Sequence, residues 1–343
     1  MKILISGGTG LIGTAFSHWV QNRINGSEHN QAKHQPVEIT WLTRDINQAH
    51  PDFINMMSYE QLQTTEEAFD IVMNLAGAGI ADKRWSEQRK QLLMQSRIKP
   101  TQALMDYIAR IEHKPKLMLS GSAIGWYGNQ GHRPLDETSP FEGDESKDFA
   151  HHLCAKWEAK ASEVLEFNVP VVILRTGIVI HPKGGMLAKL LPSFKMGMGG
   201  KLGDGNQMMS WISLNDWVRA AWHIIEQHLA EDGDVIEANS VTEAKNTTNA
   251  KITSKAKSVI YNLTAPDPVR NAVFTQIVGD WLHRPTLMTL PASVLKLMFG
   301  EMATLLIDGQ KVLPNQLLNT GFKFEHIALK KALVEQYSIT NLN

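Results

Sequence analysis

The sequence predicts an α/β fold: a doubly wound, mainly parallel sheet with helices on both faces, joined to a smaller, mostly helical C-terminal region. Three observations predict it. Short β-rich runs alternate with longer helical patterns over the first 180 residues, a glycine-rich turn joins the first run to the first helical pattern, and the alternation then stops. Alternating strands and helices are typical of parallel sheets, because each crossover helix returns the chain to the same edge.

The individual elements follow from local patterns. Compact apolar or β-branched runs predict strands at 2–6, 37–42, 71–75, 117–120, 171–174 and 259–263. Apolar residues at helical spacing predict helices at 14–22, 86–111 (one helix, or two divided at Pro100), 148–167 and 213–229. Residues 182–205 are dense in glycine, proline and lysine with little periodicity, and residues 231–257 are polar, which predicts a surface insertion.

Composition excludes several classes of protein. The 34 Lys and Arg residues nearly cancel the 35 Asp and Glu residues, so we expect neither nucleic acid nor an anionic membrane as a partner. The single cysteine, Cys154, excludes an internal disulfide and a cysteine-built zinc site, and the 13 histidines show no metal-ligand spacing. The N-terminus does not resemble a signal peptide and no window is apolar enough to span a bilayer, so we expect a cytoplasmic protein.

A glycine-rich loop, Gly7-Gly8-Thr9-Gly10-Leu11-Ile12-Gly13, follows the first predicted strand and opens the first helix. Glycines permit a tight turn, a close approach of the backbone to a pyrophosphate and close helix–strand packing. The helix N-terminus adds unpaired N–H groups and a positive dipole end. We therefore predict a dinucleotide site; an ordinary structural turn is the alternative. The predicted pyrophosphate contacts are Gly7, Thr9, Gly10, Leu11, Ile12 and Gly13.

The second strand ends Trp41-Leu42-Thr43-Arg44-Asp45. Dinucleotide sites of this type contact the adenine ribose at this point, with a carboxylate for a 2′-hydroxyl or an arginine for a 2′-phosphate. Arg44 comes first, which favours NADP over NAD as the cofactor. The alternative is a surface ion pair between Arg44 and Asp45.

The glycine loop, Asn74-Leu75-Ala76-Gly77, Ser120-Gly121-Ser122, Trp126-Tyr127-Gly128, Arg175-Thr176-Gly177 and Trp211–Asp216 together resemble the extended short-chain dehydrogenase/reductase superfamily. More narrowly, the chain resembles NAD-dependent epimerase/dehydratase-like proteins, often labelled sugar-nucleotide epimerase-like, which end in a short C-terminal domain of unknown function (DUF1731). Gly300-Glu301-Met302-Ala303 and Gly309–Pro314 carry the match in the tail.

The resemblance implies a Rossmann-type domain formed by residues 1–181 and 211–263, with the insertion 231–257 inside it. Residues 182–210 and 264–343 would form the substrate region. It also implies an NADP-type cofactor, with Asn74, Ala76, Gly77 and Ser120 lining its cleft, and no agreed substrate.

The superfamily's catalytic tyrosine is missing. Such enzymes use a tyrosine, a lysine one helical turn later, and a serine that orients the substrate. Ser122 fits the serine, or is a strand-end hydroxyl that caps a turn. The helix Phe149–Glu158 contains no tyrosine; Lys156 would pair with His152 at i−4, and histidine exchanges protons near neutral pH. The alternative is that His152 and Lys156 are solvated on the helix surface and have no catalytic role.

Three residues are candidates for the substrate side: Tyr127 beside the Ser122 motif, and Gln207 and Trp211 near the glycine-rich stretch. We expect a small-molecule substrate and no metal. The apolar tail 290–318 either closes the substrate side or makes a subunit contact in a homodimer.

These observations predict an NADP(H)-binding oxidoreductase or epimerase that acts on a small polar substrate, with nucleotide sugars as one candidate class. The missing tyrosine motivates the alternative, a non-catalytic NADP(H)-binding sensor or regulatory protein.

Overall fold

Seven parallel strands form the central sheet of the computed structural model, which describes residues 1–25, 36–240 and 256–336. The strands are β1 (Lys2–Ser6), β2 (Glu38–Thr43), β3 (Ile54–Ser58), β4 (Ile71–Asn74), β5 (Leu117–Ala123), β6 (Val171–Thr176) and β7 (Ser258–Leu263). Their spatial order is β7-β6-β5-β4-β1-β2-β3. The strand order reverses between β1 and β4, and the crevice at the carboxyl ends of such strands is where doubly wound folds bind ligands.

Helices cover both faces of this sheet. On one face, α1 (Leu11–Asn25) and α6 (Leu214–Ser240) bury Phe16, Val20 and Trp217 against the strands. On the other face, α2 (Tyr59–Thr64), α3 (Glu87–Arg110), α4 (Phe149–Ser162) and a 3₁₀ turn (Glu163–Phe167) complete the layer. The doubly wound, parallel α/β architecture predicted from the sequence is confirmed.

The C-terminal region is mostly helical, as predicted. Its helices are α5 (Gly185–Lys195), α7 (Asn271–Leu282), α8 (Ala292–Phe299), α9 (Thr304–Ile307), α10 (Asn315–Asn319) and α11 (Leu329–Gln336), with a 3₁₀ turn at Gly300–Ala303. Short strand pairs join separate segments: Gly200–Leu202 with Met288–Leu290, Met208–Met209 with Val269–Arg270, Trp211–Ser213 with Ile178–Ile180, and Pro134–Leu135 with Lys311–Val312. Helices α5, α7 and α11 share a core separate from those under the sheet. The division into two domains stays a prediction.

Several elements differ from the sequence prediction. Pro100 lies inside α3 without dividing it. Strand β3 was not predicted, because its sequence, Ile-Asn-Met-Met-Ser, has little β-branched character. Helix α5 lies in the stretch expected to lack regular structure. Helix α6 continues to Ser240, past the helix end predicted at residue 229. The insertion at 231–257 stays a prediction, and residues 241–255 of it lie outside the described residues. None of the described helices is long and apolar enough to cross a lipid bilayer.

A buried carboxylate ties α6 to the C-terminal segment. Asp216 is fully buried and accepts the backbone N–H groups of Glu325 (3.0 Å) and His326 (2.9 Å). Arg219 Nη1 donates to the same carboxylate at 2.7 Å. The Trp211–Asp216 motif therefore has a structural role, because a buried carboxylate is stable only when it is paired and hydrogen-bonded, as Asp216 is by these three contacts.

We expect Asp216→Ala to lower the free energy of unfolding by about 3–5 kcal/mol, because it removes the buried partner of Arg219 and leaves the backbone N–H groups of Glu325 and His326 without their acceptor. Chemical denaturation measures this. Asp52→Ala, at an exposed position, is the control and should change stability by less than about 0.5 kcal/mol. A loss at Asp216 no larger than in the control would contradict the structural role.

Candidate functional site

The glycine loop packs backbone directly against backbone. Gly7 has φ of +82°, and a Cβ built on it would lie 2.7 Å from the carbonyl carbon of Leu75, just beyond β4. A Cβ on Gly13 would lie 2.6 Å from Gly8 Cα, and one on Gly8 would collide with the Trp41 ring. These contacts explain why the loop requires glycine, and they hold it at the strand-order reversal.

The loop leads into the N-terminus of α1. Gly10 N donates to Gly7 O at 3.0 Å, and Thr14 N donates the first helical hydrogen bond, to Gly10 O at 2.9 Å. The amides of Leu11 and Ile12 precede that bond, so they lie in the turn where helical N–H groups have no helical acceptor. This end of a 15-residue helix also carries the positive end of the dipole, so it can hold an anion.

Arg44 lies at the carboxyl end of β2 with its side chain exposed. Within residues 1–25, 36–240 and 256–336, it makes no ion pair or side-chain hydrogen bond. Asp45 instead closes its own turn: its carboxylate accepts the backbone N–H of Asn47 at 2.9 Å. The surface pair considered for Arg44 and Asp45 is therefore not formed, and the guanidinium is available to a ligand.

The turn after β4 is held by a buried amide. Asn74 is fully buried; its Nδ2 donates to Thr101 Oγ1 at 2.8 Å, and its Oδ1 accepts the N–H of Ala76 at 3.3 Å. Ala76 is also buried, whereas Gly77 is exposed. Of the residues predicted here, Gly77 therefore presents ligand-accessible surface and Asn74 shapes the turn that presents it.

Ser122, at the carboxyl end of β5, belongs to a buried ionic network. Its Oγ donates to Glu158 Oε1 at 2.6 Å. Arg175 binds the same carboxylate in two places, from Nε at 2.9 Å and from Nη2 at 2.8 Å, and its guanidinium stacks 3.5 Å from the Trp126 ring centroid. Because the Ser122 proton is engaged by a carboxylate, the hydroxyl oxygen has only lone pairs left to offer a ligand.

Glu158 and Arg175 were not singled out as a pair from the sequence. One signal was available: Arg175 ends an otherwise apolar strand, Val-Val-Ile-Leu-Arg-Thr, and a buried guanidinium requires an anionic partner. The partner, 17 residues earlier on a helix, could not be chosen among the acidic residues without the fold.

The face of helix α4 that packs against the protein is not the face that carries the predicted His152–Lys156 pair. His152 and Lys156 are both exposed, whereas Leu153, Cys154 and Trp157 are buried. At about 100° per residue, positions 152 and 156 each lie about 160° around the helix from position 154. The structure therefore does not bring the predicted His152–Lys156 pair to Ser122.

The cysteine occupies the inward position instead. Burial is the main cause that raises the pKa of Cys154 to about 11, and the negative charge of Glu158 adds to it. At neutral pH this group is a protonated thiol, and it cannot replace the superfamily's tyrosine as an ionised base.

Two of the three residues predicted to contact the substrate are fully buried, and all three make hydrogen bonds within the protein. Tyr127 is fully buried and donates its hydroxyl proton to Asn262, and Trp211 is fully buried with its indole N–H on a backbone carbonyl. Gln207 is half-buried and donates to two backbone carbonyls. Burial leaves Tyr127 and Trp211 no surface for a substrate in this conformation, which corrects their assignment; both stabilise the packing behind the cleft.

Of the two remaining predicted cofactor contacts, one is exposed and one is buried. Thr9 is exposed at the tip of the glycine loop, whereas Ser120 is fully buried and its hydroxyl donates to the Gly121 carbonyl. Across the described residues, no cluster of three or more His, Cys, Asp or Glu side chains is arranged to hold a metal ion.

The C-terminal region borders the glycine loop. A Cβ on Gly184 would lie 2.7 Å from Leu11, at the start of α1. Lys189 of α5 reaches the loop after β4, where its Nζ donates to Ala81 O and Asp82 Oδ1. The start of α5 therefore borders the glycine loop, and Lys189 within it borders the loop after β4.

We expect the Cys154 thiol to be unreactive toward Ellman's reagent in the native protein at pH 8, because it is buried and its pKa is about 11. Absorbance at 412 nm should report one thiol per chain only after unfolding in guanidinium chloride. A stoichiometric reaction within minutes in the native state would contradict this placement of α4.

Comparison with known proteins identifies the family. The model of the NAD dependent epimerase/dehydratase family matches residues 3–238, and that of a domain of unknown function (DUF1731) matches residues 290–336. An epimerase family protein of Staphylococcus epidermidis is 34% identical over 338 residues, 97% of each chain. One of Mycobacterium tuberculosis is 37% identical over 265 residues, 77% of each chain.

Solved structures of epimerases have the same fold as this chain. Human epimerase family protein SDR39U1, solved with NADPH, has a TM-score of 0.77 at 28% identity and covers 98% of both chains. The UDP-glucuronic acid 4-epimerase of Bacillus cereus has a TM-score of 0.68 over 98% of both chains at 14% identity, which shows a shared fold. With the glycine loop at the strand-order reversal and the C-terminal match, the chain belongs to the NAD-dependent epimerase/dehydratase family, in its branch with a DUF1731 C-terminal domain.

Proposed function

We propose that this protein binds NADP(H) at the carboxyl edge of its sheet and uses it as an oxidoreductase or epimerase on a small polar substrate. One observation carries the proposal: the backbone of the loop packs so tightly at Gly7 and Gly13 that the exposed Gly10 and the N-terminus of α1 are held at the strand-order reversal. A pyrophosphate at this place would be held by the amides of Leu11 and Ile12.

The preference for NADP(H) rests on Arg44. Its guanidinium is exposed at the end of β2 and is not neutralised by Asp45, whose carboxylate accepts a backbone N–H instead. A planar guanidinium suits a 2′-phosphate, and a free carboxylate would suit a 2′-hydroxyl. The NADPH bound by the human relative supports the same choice.

The reaction end of the cleft is formed by the chain's own polar groups. Nicotinamide, when bound, supplies hydride transfer. Ser122, which keeps 5% of its surface exposed whereas Tyr127 and Trp211 keep none, would orient the substrate as an acceptor, because its proton is held by Glu158. A substrate hydroxyl could donate to Ser122 Oγ, which suits a sugar or another polyol; nucleotide sugars are therefore the first class to test.

A second candidate is a non-catalytic NADP(H)-binding sensor or regulator. One observation favours it: α4 carries a buried, protonated Cys154 on its inward face and no tyrosine, while His152 and Lys156 face solvent. Under this alternative NADP(H) binds, and no substrate is turned over.

We expect Arg44→Ala to weaken NADPH binding by about 10- to 100-fold, because a hydrogen bond to a charged group contributes about 1.5–3 kcal/mol. NADH binding should change by less than about twofold. Fluorescence titration with both nucleotides measures the two affinities. Arg133→Ala, which removes an exposed arginine paired with Glu142, is the matched control.

Two outcomes would count against the assignment of the 2′-phosphate. The first is a wild-type protein that prefers NADH. The second is an Arg44→Ala variant that binds NADPH as tightly as the Arg133→Ala control.

Turnover separates the two candidate functions. We expect the NADPH-saturated or NADP-saturated protein to convert at least one member of a panel of nucleotide sugars and carbonyl compounds, followed by absorbance at 340 nm and by NMR. Ser122→Ala should then lower kcat by about 100-fold, as for the loss of one positioning group. Tight NADPH binding with no turnover of any compound would favour the sensor.

A further inference from the structure

Arg97 on α3 lies beside the predicted cofactor cleft. A Cβ built on Gly77 would lie 3.0 Å from Arg97 Cζ, so the guanidinium occupies the space next to this exposed glycine. The preceding residue, Ala76, touches the glycine loop: its amide nitrogen would lie 2.8 Å from a Cβ on Gly7. Arg97 therefore lies beside the residue that directly follows the contact between the glycine loop and the turn after β4.

The contacts of Arg97 do not neutralise it. Its Nη1 donates to the carbonyls of Ala78 (3.3 Å) and Leu93 (3.1 Å), and its guanidinium lies 5.1 Å from the Trp157 ring centroid. Among the residues that the structure describes, no carboxylate pairs with it, and Nε and Nη2 have no hydrogen-bond partner. Carbonyls and an aromatic face stabilise a cation but leave its charge uncompensated.

A second arginine approaches the same loop. Arg89, two turns earlier on α3, donates from Nη2 to Gly79 O at 2.6 Å, and its buried Nε has no partner in the described parts of the chain. Its carboxylate neighbour, Asp82, is 3.9 Å away and is bonded to Lys189 at 2.8 Å. Arg89 therefore shares its one carboxylate with Lys189, and Asp82 makes its shorter contact with the lysine.

Such an arrangement costs free energy in the absence of an anion. Burial lowers the pKa of Arg97, and the positive charge of Arg89 lowers it further. A desolvated cation beside another cation is unfavourable, and an anion bound between them would offset that cost. The free Nε and Nη2 of Arg97 form the edge of the guanidinium that binds phosphate or carboxylate in two places.

We propose that Arg97, supported by Arg89, is a phosphate-binding position that faces Gly77 at the carboxyl end of β4. This rests on the proposed function, since it assigns a ligand group within the same cleft. The phosphate has two sources, the diphosphate of the dinucleotide or that of a nucleoside diphosphate substrate. Either source brings negative charge to a place where Arg97 has no carboxylate partner among the described residues and Arg89 shares Asp82 with Lys189.

The test compares Arg97→Gln with Lys99→Gln, which removes an exposed cation two residues away on the same helix. Isothermal titration calorimetry measures NADPH binding to each variant, and then UDP binding to each NADPH-saturated variant. If the phosphate is the substrate's, Arg97→Gln weakens UDP binding at least tenfold relative to Lys99→Gln and leaves the Kd for NADPH within twofold. If it is the cofactor's, the Kd for NADPH rises at least tenfold.

The proposal is overturned if Arg97→Gln matches Lys99→Gln within twofold for both ligands, which would reduce Arg97 to a support for the loop. Should Arg97→Gln fail to fold, Arg97→Lys decides, because it keeps the positive charge but removes the Nε and Nη2 edge that binds a phosphate in two places. It should weaken binding of the same ligand, and a folded Arg97→Lys variant with wild-type affinity for both ligands overturns the proposal. A wild-type chain that binds no NADPH contradicts the proposed function alone, since UDP titration without NADPH still tests Arg97.

Discussion

The site depends on the close approach of two backbones where the strand order reverses. Gly7 lies so near the chain after β4, and Gly13 so near Gly8, that a methyl group at either glycine would displace the loop. This contact fixes where α1 begins and directs its positive end at the carboxyl edge of the sheet. The N–H groups at the start of α1 and the turn that presents Gly77 take their positions from this contact.

A second constraint acts at β5 and β6. Burial of Glu158 or Arg175 without the other would carry a large desolvation free energy. Removing one partner of such a pair typically lowers stability by about 3–5 kcal/mol. Two hydrogen bonds, the stacked Trp126 ring and the Ser122 hydroxyl compensate the charges. The same compensation fixes Ser122 as an acceptor. Structure and chemistry are therefore linked here, because the group that stabilises the core also decides what the serine can bind.

The sequence predicts the features that local chemistry determines. The strand–glycine–helix sequence locates the loop, and the position after β2 locates Arg44. The rotation of α4 is not local: His152 and Lys156 have the i, i+4 spacing of a functional pair, yet tertiary packing turns Cys154 inward and leaves both in solvent. Arg97 was missed for a related reason, because only the fold shows which helical cation lies beside Gly77 and has no carboxylate partner in the part of the chain that the structure describes.

A crystal structure of the protein grown with NADPH tests the central claim most directly. The account predicts the pyrophosphate on the amides at the start of α1, the 2′-phosphate beside Arg44 and the nicotinamide ring near Ser122. An adenine ribose that lies away from Arg44, or a dinucleotide bound outside the carboxyl edge of β1 and β4, would contradict it.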